Sequence, residues 1–249
     1  MCWKKKITEP FQPAEKRALI FGINDYPGTY NDLAGCVNDA KDIKAWLEKY
    51  GYTCNMYLDS EVTKVNFKTK LAEAVAVLRA GDRLFVTYSG HGTYVSDKTG
   101  DEGNGYDEAL YVYDGVVIDD EINSILKAIP EGAQMTCIFD SCFSATITRM
   151  CYQGRPKRNR FHRVSSKMIR KKLKGKIGKG IVDSNWVTLS ACGENQTAAD
   201  AYFNNRPNGA FTYFLLQSYK DGMTYNDWFA KIRQYLPSQS FSQIPEIEG

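Results

Sequence analysis

“DRLFVTYSGHG”, residues 82–92, is the stretch on which the fold turns. Leu84-Phe85-Val86 is apolar and strand-prone, and the run then breaks on Ser89, Gly90, His91 and Gly92. The same form returns in “AQMTCIFDSC”, residues 133–142, where Cys137-Ile138-Phe139 stops at Asp140, Ser141 and Cys142. Runs of this length, bounded by turn residues, read as strands buried on both faces. “KRALIFGI” (16–23), “YTCNMYL” (52–58) and “NWVTLSA” (185–191) read likewise, and “EALYVYD” (108–114) is a further strand.

Helical patterns lie between these strands. Over 31–50, Leu33, Val37, Ala40, Ile43 and Leu47 share one face, with Asn31 or Asp32 to cap the start and Gly51 to end it. Over 65–79, Val65, Leu71, Val75 and Leu78 face inward. A short helix is expected near 119–128, and two more near 209–220 and 225–236, before a short extended tail. Strands alternating with helices predict an α/β fold whose parallel sheet is covered on both faces. Sites in such sheets form at the carboxyl ends of strands, which here read “YSGHG” and “FDSC”.

The bulk numbers narrow the class. The chain has 249 residues, 43 % of them apolar and 24 % charged, as expected of a globular protein with a sizeable core. No apolar run approaches the ~18 residues of a membrane span. “MCWKKKITEP” carries a leader's charge without its apolar stretch. Seven cysteines, with no CxxC pair, argue against a disulfide framework or a zinc site and for a reducing compartment. The expectation is a cytoplasmic protein with no membrane partner. The net charge of +3 hides an asymmetry: residues 155–180 hold twelve Lys or Arg and no acid, leaving 20 basic against 29 acidic residues elsewhere.

Chemistry concentrates at the two strand ends. A strand-end cysteine taken alone is usually an inert core thiol. His91 is one of only two histidines, and His91-Gly92 and Cys142 close successive core strands. If those strands are neighbours, the imidazole can take the thiol's proton and later protonate a leaving amine. The N–H groups of Gly92 and Cys142 would form an oxyanion hole. The strand period of two places Asp140 on the side of Cys142, and Ser89 on the side of His91. A carboxylate and a hydroxyl beside the reacting atoms suit a Lys or Arg side chain. The alternative for Asp140 is a cap on a following turn.

“KRALIFGINDYPGTYNDLAGCVNDA”, “YSGHG”, “GYDEALY”, “IDDEI”, “FDSC”, “LSACGENQTAADA” and “GAFTYFLLQSY” occur in the order found in metacaspases, caspase-fold cysteine peptidases of family C14. The resemblance spans about residues 16–245. It implies a caspase-like fold with a mostly parallel six-stranded core sheet and helices on both faces. It implies a 1–15 extension before a single 16–249 domain, with a large portion (16–154), a basic linker (155–180) and a small portion (181–249). It implies a His91/Cys142 dyad that cuts protein or peptide substrates after Arg or Lys, in a monomer. The family's acidic specificity pocket maps onto Cys36, Asp39, Ser89 and Asp140; the helical pattern alone would leave Asp39 exposed. The linker holds the residues such a pocket accepts, which suggests self-cleavage there.

Calcium-binding positions of the family match Asp107, Asp119 and Asp120, but a further acidic position is Arg149 here. A cation in place of an anion weakens such a site, so the expectation is no required cofactor, with calcium as an activator at most. Phe143-Ser144-Ala145 stands where the family commonly reads His-Ser-Gly. That departure supports a rival function, a catalytically weak caspase-fold module acting by binding partners. A nucleic-acid role for the basic run is disfavoured, since Phe161 is its one aromatic. A flavodoxin-like cofactor protein lacks a glycine-rich phosphate loop.

Overall fold

Strand β1 (Lys16–Gly22) shows how the sheet is covered. Ala18 and Ile20 point into one apolar cluster, and Leu19 and Phe21 into another on the opposite face. Alternate residues on a strand face opposite sides, so a run apolar at every position needs helices on both faces. A computed structural model describes residues 13–96, 106–141, 151–152, 155–156, 158–159, 186–193 and 196–249.

Helix α1 (Cys36–Lys49) leads to β2 (Thr53–Leu58), α2 (Lys64–Ala76) and β3 (Arg83–Ser89). Strands β4 (His91–Ser96), β5 (Tyr106–Val112) and β6 (Gly115–Ile118) follow, then α3 (Asp119–Leu126) and β7 (Gln134–Asp140). Three two-residue strands come next: β8 (Cys151–Tyr152), β9 (Arg155–Pro156) and β10 (Arg158–Asn159). The chain closes with β11 (Trp186–Ser190), β12 (Ala199–Phe203), β13 (Arg206–Gly209), α4 (Ala210–Ser218), α5 (Tyr225–Ile232) and β14 (Glu246–Glu248).

The core sheet has six strands in the order β14-β11-β7-β3-β1-β2. All neighbours are parallel except β14, which joins β11 antiparallel. The α/β class and the mostly parallel six-stranded sheet are therefore as the sequence predicts. Residues of α1, α4 and α5 fill one cluster, including Ile43, Leu47, Phe211, Leu215 and Trp228. Residues of α2 and α3 fill the other, including Phe67, Leu71 and Ile122.

Several local expectations change. “EALYVYD” does not enter the core sheet; β5 is the middle strand of a separate antiparallel sheet, β4-β5-β6. Val65 does not face inward but is 71 % exposed, and Phe67 takes the buried place. Residue 65 lies in the first turn of α2, where Thr63 Oγ1 accepts the Asn66 N–H. The burying face is set by the Phe67-Leu71-Val75 spacing. Neither Asn31 nor Asp32 caps α1. The helix begins at Cys36, and Asn24 Oδ1 accepts the N–H groups of Cys36 and Val37 at 2.9 and 3.3 Å. The Asp200 carboxylate accepts those of Ala34 and Gly35 at 2.8 and 2.9 Å. Gly35 is needed for that approach, since a Cβ there would stand 2.7 Å from the Asn208 backbone.

Candidate active site

Strands β3 and β7 are adjacent and parallel, with Ser89 opposite Asp140 in register. Their carboxyl ends therefore lie side by side, as the dyad hypothesis requires. The chain leaves the sheet directly after Ser89. Gly90 makes the turn, because a Cβ there would stand 2.5 Å from the Tyr88 hydroxyl and 2.9 Å from that of Tyr26. His91 then starts β4 in the second sheet. The period of two thus does not carry from Ser89 to His91, which sit on strands of different sheets.

His91 is held from several directions. Its backbone N–H donates to the Tyr26 hydroxyl at 2.9 Å, and its carbonyl accepts the Tyr88 O–H at 2.9 Å. The Tyr26 ring lies 4.9 Å from the imidazole, centroid to centroid. Nε2 is 2.7 Å from the Asn31 carbonyl oxygen. A carbonyl only accepts, so Nε2 carries the proton and Nδ1 of the neutral ring bears the lone pair. The histidine is buried and set in one tautomer, with Nδ1 as its basic atom. Gly92 follows it, buried in β4.

Asp39, Cys36, Ser89 and Asp140 are all buried, at 0, 0, 2 and 1 % exposure. Asp39 accepts the Ser89 hydroxyl at 2.7 Å, the Asn208 Nδ2–H at 3.0 Å and the Gly209 N–H at 2.9 Å. Asp140 Oδ2 accepts the Thr212 N–H at 2.9 Å and its hydroxyl at 2.7 Å. Gly209 is the N-cap of α4 and Thr212 lies in its first turn. Both carboxylates therefore sit at the positive end of one helix, which lets two like charges share a buried corner. Asp140 does cap a helix, but that helix is α4, far along the chain.

Cys142 lies outside the described residues, as do Phe143, Ala145 and Arg149. Ser141, the residue bonded to Cys142, is buried at 1 % exposure, and its carbonyl receives the Cys192 thiol at 3.6 Å. Cys36, Cys54, Cys137 and Cys192 form no disulfide. Burial pushes Cys137 up to about 12, despite a Thr188 hydrogen bond that lowers it. Burial also raises Cys54, with Glu48 adding to the shift. These two thiols are poor nucleophiles at neutral pH.

Asp107 is buried in β5, and Asp119 and Asp120 open α3. Among the described residues, no three His, Cys, Asp or Glu gather closely enough to hold a metal ion. The described carboxylates do not fit a calcium site by themselves, and no chemical step is assigned to a cation. No described helix is long and apolar enough to cross a membrane.

Sequence reading missed Asn24, Tyr26, Asp200, Asn208 and Thr212. Their signal was their place inside the quoted motifs or, for Asn208, beside “GAFTYFLLQSY”. A side chain that orients another functional group has no periodicity of its own.

A family model described as “Caspase domain” matches residues 15–249. The chain belongs to the caspase-domain family, peptidase family C14. Metacaspases are among its curated relatives. It is 28 % identical to Metacaspase-1 of Scheffersomyces stipitis over 92 % of this chain and 65 % of that protein. It is 32 % identical to Metacaspase-2 of Arabidopsis thaliana over 88 % of this chain and 56 % of that protein. The chain thus spans between just over half and about two thirds of the length of these two relatives. A crystal structure of a Geobacter sulfurreducens protein matches with a TM-score of 0.73 and 28 % identity, over 94 % of this chain and 92 % of that one. This agrees with the caspase fold.

Proposed function

We propose that this caspase-domain protein is a cysteine endopeptidase that cleaves after Arg or Lys. The observation that carries the reading is the corner formed by Asp39, Ser89 and Asp140, two residues along the chain from a histidine held in one tautomer. Two buried carboxylates with a hydroxyl beside them are matched by a guanidinium or ammonium group.

In this mechanism, Nδ1 of His91 takes the Cys142 thiol proton. The thiolate adds to the carbonyl carbon of the Arg or Lys. The N–H groups of Gly92 and Cys142 stabilise the oxyanion. The C–N bond breaks as His91 returns the proton to the departing amine. Water, deprotonated by His91, then hydrolyses the thioester and restores the thiol. The cycle needs no cofactor, and the protein acts as a monomer on protein or peptide substrates. The same pocket accepts its own Lys/Arg-rich 155–180 segment, where self-cleavage follows.

The test uses two fluorogenic peptides differing only in Arg or Asp before the scissile bond, with and without chelator, beside Cys142→Ala. Cleavage of the Arg peptide alone, lost in Cys142→Ala and kept under chelator, with fragments ending within 155–180, is the expected result. A folded protein that cuts neither peptide overturns the reading, and Phe143 and Ala145 then mark a partner-binding module.

A further inference from the structure

A cavity of about 260 Å³ lies at the amino ends of the central strands, away from the carboxyl ends near His91. Lys16, Arg83 and Gln134 are register partners at the starts of β1, β3 and β7, and all three line it. Those strands are seven residues long, so this row stands about 20 Å from the Ser89 end. The next row on the same face, Phe85 and Thr136, forms the floor. The walls are aromatic: Trp46 and Tyr50 from α1, Trp228 from α5, and Tyr219 between α4 and α5. Trp46 meets the rings of Phe85, Tyr219 and Trp228 at 5.9, 5.1 and 5.5 Å, a packed set that leaves the opening without collapsing it.

The polar groups in this opening favour one sign of charge. Lys16 and Arg83 are its two ions, and no Asp or Glu lines it. Asp221, bonded to the Tyr50 hydroxyl at 2.5 Å, is outside the lining. The Arg83 guanidinium pairs with no carboxylate among the described residues. The Trp46 Nε1–H is buried beside the Tyr50 hydroxyl, which itself donates to Asp221. Burial, with Tyr225 nearby, pushes the Tyr52 phenol up to about 12, so it adds no negative charge. Edge-to-face aromatic walls beside two cations, with no carboxylate in the lining, suit a flat ring bearing an anionic acceptor.

We propose that this cavity binds a small aromatic anion, an aryl carboxylate or aryl phosphate, at a site separate from the peptidase centre. The ring lies against Trp46 and Trp228, and the anionic group meets Arg83 and Lys16. Binding is independent of the catalytic reading, because no residue of either site serves the other.

The full chain carrying Cys142→Ala is titrated with 2-naphthoate and with phenyl phosphate by calorimetry, with tryptophan fluorescence in parallel. Neutral 2-naphthamide is the control. The expected result is saturable one-to-one binding of at least one anion. It is weakened about tenfold or more by Arg83→Gln and by Lys16→Gln, and comparably for the amide, as loss of a charge-assisted contact predicts. Both substituted side chains are exposed strand starts, and an unchanged melting temperature shows that each variant is folded. Absence of saturable binding for both anions, equal binding of the amide, or affinity unchanged in both variants overturns the proposal.

Discussion

Asp39 and Ser89 are 50 residues apart in sequence and share a buried hydrogen bond of 2.7 Å. The bond ties the first turn of α1 to the carboxyl end of β3. Ser89 also stands opposite Asp140 on β7, so one residue connects elements from three parts of the chain. The geometry makes Asp39 testable in two ways at once. Asp39→Asn keeps the shape but removes the charge and gives the Asn208 and Gly209 donors a weaker acceptor. Cleavage of an Arg peptide is expected to fall by about a hundredfold or more in kcat/KM, the scale of losing a buried ion pair. Stability falls by about 1–3 kcal/mol. A variant that loses stability but keeps Arg cleavage would make Asp39 a structural cap alone.

The alternation of strands and helices was legible because a parallel sheet buries both faces, and β1, β3 and β7 are apolar through their centres. The strand-end site was legible for the same reason: polar residues at the end of such a run have nowhere else to go. Asp39 was not. Its position on α1 faces the sheet, but a charge there makes sense only with Asn208 and Gly209 brought in from about 170 residues away. Tyr26 and Asn31 serve His91 through one hydroxyl and one carbonyl, which no residue pattern announces.

The clamp on His91 predicts a kinetic split. Tyr26→Phe removes the acceptor for the His91 N–H but keeps the ring that packs on the imidazole. The expected outcome is kcat lowered about tenfold, from loss of one positioning hydrogen bond, with KM for an Arg peptide nearly unchanged. In Cys142→Ala, nitrogen NMR at neutral pH should find the proton of His91 on Nε2, the atom facing the Asn31 carbonyl. A proton on Nδ1 would reverse the assignment of the base.

Val65 and Phe67 offer a stability comparison within one helix. Val65 is 71 % exposed and Phe67 fully buried. Val65→Ser is expected to change unfolding free energy by no more than about 0.5 kcal/mol. Phe67→Ala, which empties a site against Phe21 and Tyr88, should cost about 3–5 kcal/mol. Chemical denaturation of both variants, read at constant m-value, decides it. Equal effects would mean that the helix packs on the face the apolar pattern first suggested.

The Cys137 thiol gives a pH dependence with a definite sign. Burial raises it to about 12 in the folded chain, while an unfolded cysteine ionises near about 8.5. Between those values the unfolded chain releases a proton that the folded one keeps. Stability is therefore fully present below pH ~8.5 and falls as pH rises toward 12, by up to about 1.4 kcal/mol per pH unit for this group. Cys137→Val removes the ionisable group with a side chain suited to a buried strand. The slope of stability against pH between 9 and 11 should be shallower in the variant by that group's share, measured by urea unfolding at fixed salt. Tyr52, raised by burial to about 12, contributes in the same direction in both proteins and cancels in the comparison. Native Cys137 should also resist iodoacetamide at pH 8, since alkylation needs the thiolate and access, and the fold denies both. Identical slopes together with rapid alkylation would show that this strand opens to solvent far more readily than its packing implies.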